Sequence, residues 1–217
     1  MYMGVAVSGY STAFFIPTIL NDFGYSPSDS QVHTIPVYVC CTGVMLISAW
    51  ASDRLRHRYL FTMGGIVIAT IGYVILLAQG PPARIGGLPL SVRYMAIFFV
   101  ASGVYITQPM CIVWLANNMG GHYKRSFGTA MQIGIGNIGG IIGSNIYLQQ
   151  EAPGYKTGYG TALAFMWLCG LMCTVFYVGL KTENRKRERG ERDVRLALPK
   201  GQLENIGDAH PEFRYAL

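Results

Sequence analysis

The gaps between charged residues divide the chain into six uncharged windows: Met1 to Asn21, Ser30 to Ser52, Tyr59 to Ala83, Tyr94 to Tyr123, Ser126 to Gln150 and Thr157 to Leu180. The shortest holds 21 residues and the longest 30. A hydrocarbon core about 30 Å thick is crossed by about 20 helical residues at about 1.5 Å each, so every window is long enough for one span. Barrel strands need a polar and apolar alternation that these windows lack. The pattern predicts an all-α, polytopic membrane protein: six transmembrane helices over residues 1–180, then a basic tail over 181–217.

Composition sharpens this picture. Of 217 residues, 51% are hydrophobic and 13% charged, against about 25% charged in a soluble domain. Sixteen of the 28 charges follow Leu180, which leaves 12 for the first 180 residues. Disordered and nucleic-acid-binding classes, which need a charged body, are excluded for most of the chain. Connections two (Arg54, Arg56, Arg58) and four (Lys124, Arg125), with the tail, carry fourteen Lys and Arg; connections one, three and five carry Arg84, Arg93 and Lys156. Cytoplasmic loops keep the basic excess, so both chain ends are expected in the cytoplasm. Gly24-Tyr25-Ser26-Pro27, Gly80-Pro81-Pro82 and Ala152-Pro153-Gly154 supply turn chemistry for the outer corners. The run from Lys181 to Gly190, directly after a span, reads as an anchor on the anionic lipid surface of the bilayer.

Chemistry is sparse. Cys40, Cys41, Cys111, Cys169 and Cys173 all lie in apolar stretches and are expected to be small buried hydrophobes, with no disulfide. Cys169 and Cys173 share a helix face, but without a nearby His or acid no metal site is predicted. No basic stretch precedes the first window, so it does not read as a cleavable signal peptide. No Asp, Glu, Lys or Arg lies inside any window, and no nucleophile–base or paired-carboxylate set converges, so neither an intramembrane proton relay nor catalysis is expected from this chain, and no cofactor.

The remaining polar residues carry the candidate site. Tyr10 and Ser11 on the first helix, Gln108 on the fourth, and Gln132, Asn137 and Asn145 on the fifth are uncharged polar groups in apolar windows. Tyr10, Gln108 and Asn137 fall nearest mid-membrane and are the candidate substrate contacts; interhelical hydrogen bonding is the plainer role for each, because an unpaired amide in hydrocarbon costs several kcal/mol. Gln108-Pro109 is expected to interrupt the fourth helix, since proline cannot donate to the Tyr105 carbonyl. Gly134, Gly136 and Gly139 match a dinucleotide-binding pattern, but with no strand before it and no acid about 20 residues on, that reading fails. Gly136, Gly139, Gly140 and Gly143 recur at spacing four, the pattern that lets two membrane helices approach closely.

Several segments taken in order add a resemblance: Phe15-Ile-Pro17-Thr-Ile leading to Gly24-Tyr25-Ser26, Asp53-Arg54-Leu-Arg56, Trp114-Leu-Ala-Asn117-Asn118, Lys124-Arg125, Gly136-Asn137-Ile-Gly139-Gly140, and Gly207-Asp208-Ala-His210-Pro211-Glu-Phe213-Arg214-Tyr215. Together they resemble the carboxy-terminal half of a major facilitator superfamily transporter, in particular the fungal allantoate, nicotinate and pantothenate permease branch. The resemblance implies half of a twelve-helix fold, a plasma-membrane location, and symport of a small organic anion or vitamin-like carboxylate with a proton. It also implies an amino-terminal six-helix half, or a partner chain, to complete the cavity, because this half has no buried cation to meet an anion. The family's cytoplasmic loop motif is echoed from Ala49 to Arg58, where Asp53, Arg54 and Arg58 match while Ala49, Arg56 and His57 depart. Asp53, with Arg54, would act as a conformational latch against a helix N-terminus of the other half; a charged loop held at the lipid surface is the alternative. A truncated, non-transporting membrane protein or an assembly module whose glycine face binds another transporter is the competing function.

The loop charges make one expectation direct. His57→Cys or Lys124→Cys resists an impermeant thiol reagent in intact cells, and Arg84→Cys or Lys156→Cys reacts; the reverse labelling overturns the orientation.

Overall fold

The computed structural model describes residues 1–22, 24, 26–78, 87–152, 154–197, 199 and 206–217. Its long helices are α1 (Tyr2–Asp22), α2 (Pro27–Leu55), α3 (Arg58–Leu77), α4 (Leu90–Asn117), α5 (His122–Gly143) and α6 (Lys156–Glu188), and no strand occurs among the described residues. Short 3-10 turns lie at 149–151, 193–197 and 207–209. Five of the long helices are long and apolar enough to cross a membrane. The exception, α5, has the length, 22 residues, but its glycines and the amides of Gln132 and Asn137 dilute its apolar content. Tyr25, the Gly80-Pro81-Pro82 corner, Arg84 and Pro153 lie outside the described residues.

Helix ends depart from the windows for local reasons. At the start of α2, the Asp29 N–H donates to the Ser26 hydroxyl at 3.1 Å and Pro27 occupies the first turn, which satisfies one orphan donor and needs none from proline. Window five runs on to Gln150, but α5 stops at Gly143. Ser144 Oγ and Asn145 Nδ2 both turn back to the Ile141 carbonyl, at 3.1 and 2.8 Å, occupying an acceptor of the last turn. Asn145, expected on the fifth helix, is therefore an exposed turn residue. Arg93, expected in a connection, sits in the first turn of α4, buried, with Nε donating to the Leu88 carbonyl at 3.0 Å. Proline does not interrupt α4: the helix runs continuously through Pro109, as α1 does through Pro17 and α2 through Pro36. At the start of α6 the Glu151 carboxylate accepts from the Thr157 N–H at 2.8 Å and from its hydroxyl, and the Thr157 hydroxyl foremost holds its pKa below the ordinary 4.5.

The packing has an internal order. α1 packs on α5 and α6, while α4 packs on α2 and α3; α1 also meets α4, and α3 meets α6. Exchanging the first three helices with the last three maps these contacts onto one another, the mark of a repeated three-helix unit. α1 and α4 are the most buried spans, whereas α2 shows long apolar side chains such as Val39, Ile47 and Trp50 to the outside. Small residues set the closest approach: Gly103 of α4 faces Gly65 and Ala69 of α3, where a Cβ would meet backbone.

The end of the bundle holding the α2–α3 and α4–α5 turns, here the basic end, is closed by residues 206–217. Arg187, near the end of α6, is 4% exposed. Its guanidinium donates to the carbonyls of Phe213 (2.7 Å), Asp208 (2.9 Å) and His210 (3.2 Å) and to the Tyr215 hydroxyl (3.0 Å), and it lies 4.4 Å over the Tyr215 ring. Two asparagines hold the same segment as a neighbouring strand would, each both giving and taking a backbone bond. Asn184 does so with Tyr215, at 2.9 Å each way, and Asn118 with Ala216, at 3.1 and 2.7 Å. Trp114 Nε1 also donates to the Ala216 carbonyl at 2.9 Å, the Arg58 N–H reaches Leu217 O at 2.8 Å, and Lys124 pairs with Asp208 at 2.6 Å. This strap thus touches α3, α4, α5 and α6, and Arg187 of the basic run faces inward rather than toward lipid.

Replacing Arg187 with alanine leaves three carbonyls short of a donor, so it costs about 3 kcal/mol. Lysine does not restore that, because it lacks the planar fork that spans them. The check is the melting temperature in detergent together with the rate of tryptic cutting at the exposed Arg189; an unchanged rate for Arg187→Ala removes the strap's stabilising role.

Candidate functional site

Two α5 glycines seat two α1 tyrosines. Gly136 leaves room for the Tyr2 ring, which would overlap any Cβ placed there, and Gly140 does so for the Tyr10 ring, with a Cβ only 3.0 Å from Tyr10 Cδ2. Gly139 and Gly143 instead face the α1 backbone, with Cβ positions 2.9 Å from Met3 O and 2.6 Å from Val7 O. Gly134 faces open space. The four spaced glycines therefore lie along α1, in pairs that receive rings and pairs that receive backbone.

The seated tyrosines reach the amides. Tyr10 donates its hydroxyl proton to Asn137 Oδ1 at 3.2 Å, joining α1 to α5. Gln108 Nε2 donates to the Tyr2 hydroxyl at 3.3 Å, while its Oε1 stands against Gly9, joining α4 to α1. One turn before Gln108, Tyr105 meets Tyr38 of α2 edge to face, ring centroids 6.0 Å apart. A band of polar and aromatic groups thus crosses α2, α4, α1 and α5. Gln108 and Tyr10 are half-buried and Asn137 is exposed, so the band is open to the outside of this chain. Tyr10 and Asn137 meet directly; Gln108 meets Tyr2 instead of either.

Two cavities of about 260 Å³ open along the band. One, between α1 and α5, is lined by Tyr2, Gln132 and Gly136; the other, between α2 and α4, by Tyr38, Cys41, Thr42 and Tyr105. Tyr2, Tyr38 and Tyr105 were not among the sequence candidates. Tyrosine is common in membrane helices, where its ring suits either lipid or core, and only the α5 glycine spacing hints at a ring on its neighbour.

Asp53 and Arg54 lie at the basic end. Arg56 ends α2 in a left-handed conformation (φ 54°), its N–H bonded to Ser52 O at 2.9 Å, so the chain turns sharply into α3. That turn brings Arg58 Nη2 to Asp53 Oδ1 at 2.5 Å. With its oxygen toward Arg58, the Asn117 amide accepts from Nε and Nη2 at 3.0 Å each. Asp53 stays 66% exposed, and Arg54 stacks 5.8 Å from the Trp50 ring.

These features define an integral, multi-pass helical membrane protein whose uncharged polar band crosses four helices. Comparison with known proteins then gives the family. No protein-family model matches, and no solved structure matches. The chain is 32% identical over 96% of its length to an uncharacterized transporter of Schizosaccharomyces pombe and over 99% to the MFS-type transporter cnsO of Penicillium expansum. It is 27% identical over 98% of its length to a high-affinity nicotinic acid transporter of Saccharomyces cerevisiae. It spans about two-fifths of the length of these relatives, 39%, 41% and 38%. The chain belongs to the major facilitator superfamily.

The seats give a sharp mutational contrast. Gly140→Leu drives a side chain into the Tyr10 ring and costs about 3 kcal/mol through overpacking, whereas Gly134→Leu, facing open space, leaves folding unchanged. Monodispersity and melting temperature in detergent report both; equal tolerance at the two sites would refute the seating.

Proposed function

We propose that this chain forms the carboxy-terminal wall of a secondary transporter that carries a small organic anion of the vitamin-like carboxylate class, coupled to protons. The observation that carries the reading is the band from Tyr38 and Tyr105 through Gln108 and Tyr2 to Tyr10 and Asn137, which supplies hydroxyl and amide donors on a surface otherwise apolar. A name among the relatives supports the substrate class: one is a nicotinic acid transporter. An aromatic carboxylate suits such a wall, since tyrosine rings stack on its ring while Gln108 and Asn137 amides donate to its oxygens.

Such an anion needs positive charge from elsewhere, because none of the band's side chains is a cation. The amino-terminal six-helix half, resting on the outward faces of α2 and α5, supplies it in this reading, along with the group that exchanges the proton. In this reading Asp53, with Arg54, meets a helix N-terminus of that half and latches the cytoplasmic side. Both termini then face the cytoplasm, and the protein resides in the plasma membrane.

Uptake of labelled nicotinate and a panel of other carboxylates tests this in cells that carry the full-length gene and lack their own carriers. Accumulation of at least one carboxylate that collapses with the proton gradient is expected; no uptake of any anion overturns the class. Gln108→Ala and Asn137→Ala keep normal expression and lower uptake at least about tenfold, equivalent to about 1.4 kcal/mol of lost interaction. Loss of expression instead would assign both amides to helix association alone.

A further inference from the structure

The sequence pairs Cys169 with Cys173, too few donors for a metal; the fold adds a third. Cys111 of α4 faces both from across the helix interface, with Sγ–Sγ distances of 3.8 Å to Cys169 and 4.0 Å to Cys173, and the α6 pair itself is 4.0 Å apart. All three are buried, and their sulfurs form a nearly equilateral triangle. Dividing the mean edge, about 3.9 Å, by √3 puts the centre about 2.3 Å from each sulfur, the length of a metal–thiolate bond. Without any movement of the helices, the triangle is sized for one ion in its plane.

We propose that Cys111, Cys169 and Cys173 form a trigonal site for a soft monovalent metal ion, Cu(I). Three soft donors without a fourth select Cu(I), because zinc closes a tetrahedron, and among the described residues no His, Asp, Glu or further Cys joins the group. Thiolates rather than thiols are the ligating form, so uptake of one Cu(I) releases the protons of the coordinating cysteines to solvent and binding strengthens as pH rises. Gln132, which donates to the Cys111 carbonyl at 3.0 Å, also lines the cavity of about 260 Å³ bordered by Met1, Met3 and Met131. Thioethers are themselves soft ligands. The site lies behind the polar band and does not depend on the transport reading.

The test uses the whole 217-residue chain, purified under reductant in detergent and titrated with Cu(I) against a chromogenic Cu(I) chelator. One equivalent binds, and X-ray absorption shows three sulfurs near 2.3 Å and no nitrogen or oxygen. Cys111→Ala weakens binding by more than about 100-fold, beyond what loss of an outer contact costs, whereas Cys40→Ala, on the exposed face of α2, changes nothing. Absorption on the unmutated protein decides the matter if a variant fails to fold. No stoichiometric binding, a first shell with nitrogen or oxygen, stronger retention of Zn(II), or binding that survives Cys111→Ala each overturns the proposal.

Discussion

In a bilayer, apolar faces gain nothing by leaving lipid for one another, so helices associate where their backbones fit closely. In this chain the fit converges on α1. Gly139 and Gly143 of α5 bring its axis against the α1 backbone from one side. From another, Gly4 of α1 lies against the Phe165 carbonyl and Cys169 of α6, and Gly9 makes space for Gln108 of α4. Each contact needs the absence of a side chain at one position, and together they seat α4, α5 and α6 against the first helix. Ser8 adds a directional bond, its hydroxyl donating to the Ala162 carbonyl of α6 at 2.9 Å.

The polar band is a consequence of that fit. Were α5 farther from α1, the Tyr10 hydroxyl would not reach Asn137, and Tyr2 would lose the slot at Gly136 that aims it at Gln108. Close packing and site geometry are therefore one feature seen from two sides. The candidate contacts need not be chosen as either glue or substrate donors: a bond between a half-buried tyrosine and an exposed amide holds two helices while leaving lone pairs and protons toward the open face.

Much of this was legible in the sequence, and the illegible parts have physical causes. Windows between charges located the six long helices among the described residues, five of them long and apolar enough to cross a membrane, because a span requires about 20 residues free of charge. Their ends were less legible, since hydropathy does not see that Ser144 and Asn145 fold back on Ile141, or that α6 continues past Leu180 to Glu188 through charged residues. Tyr10, Gln108 and Asn137 stood out as polar groups near mid-membrane; Tyr2 did not, and neither pairing was legible, because Tyr2 lies 106 positions from Gln108 and Tyr10 lies 127 from Asn137. Cys111 stayed apart from the α6 pair for the same reason. In the basic run, charge alone gave no way to tell Arg187, buried against the strap, from Arg189, which is largely exposed.

The strap gives the six helices a mechanical property that packing alone would not. Its bonds reach the start of α3 through Arg58, the end of α4 through Trp114 and Asn118, the start of α5 through Lys124, and the end of α6 through Asn184 and Arg187. Arg58 extends the tie to the end of α2 through Asp53. Five helices are thus bound at one end by hydrogen bonds whose acceptors are mostly backbone carbonyls of a single segment. Sliding α4 or α6 past its neighbours breaks several of these bonds at once, which stiffens this end of the bundle against shear. Rocking of two halves about a central site requires halves that resist shear, because a hinge transmits motion only between parts that keep their own shape. On the transport reading, the amino acids after α6 therefore contribute to alternating access without touching the substrate: they keep the wall that carries Tyr10, Gln108 and Asn137 in one piece while it turns.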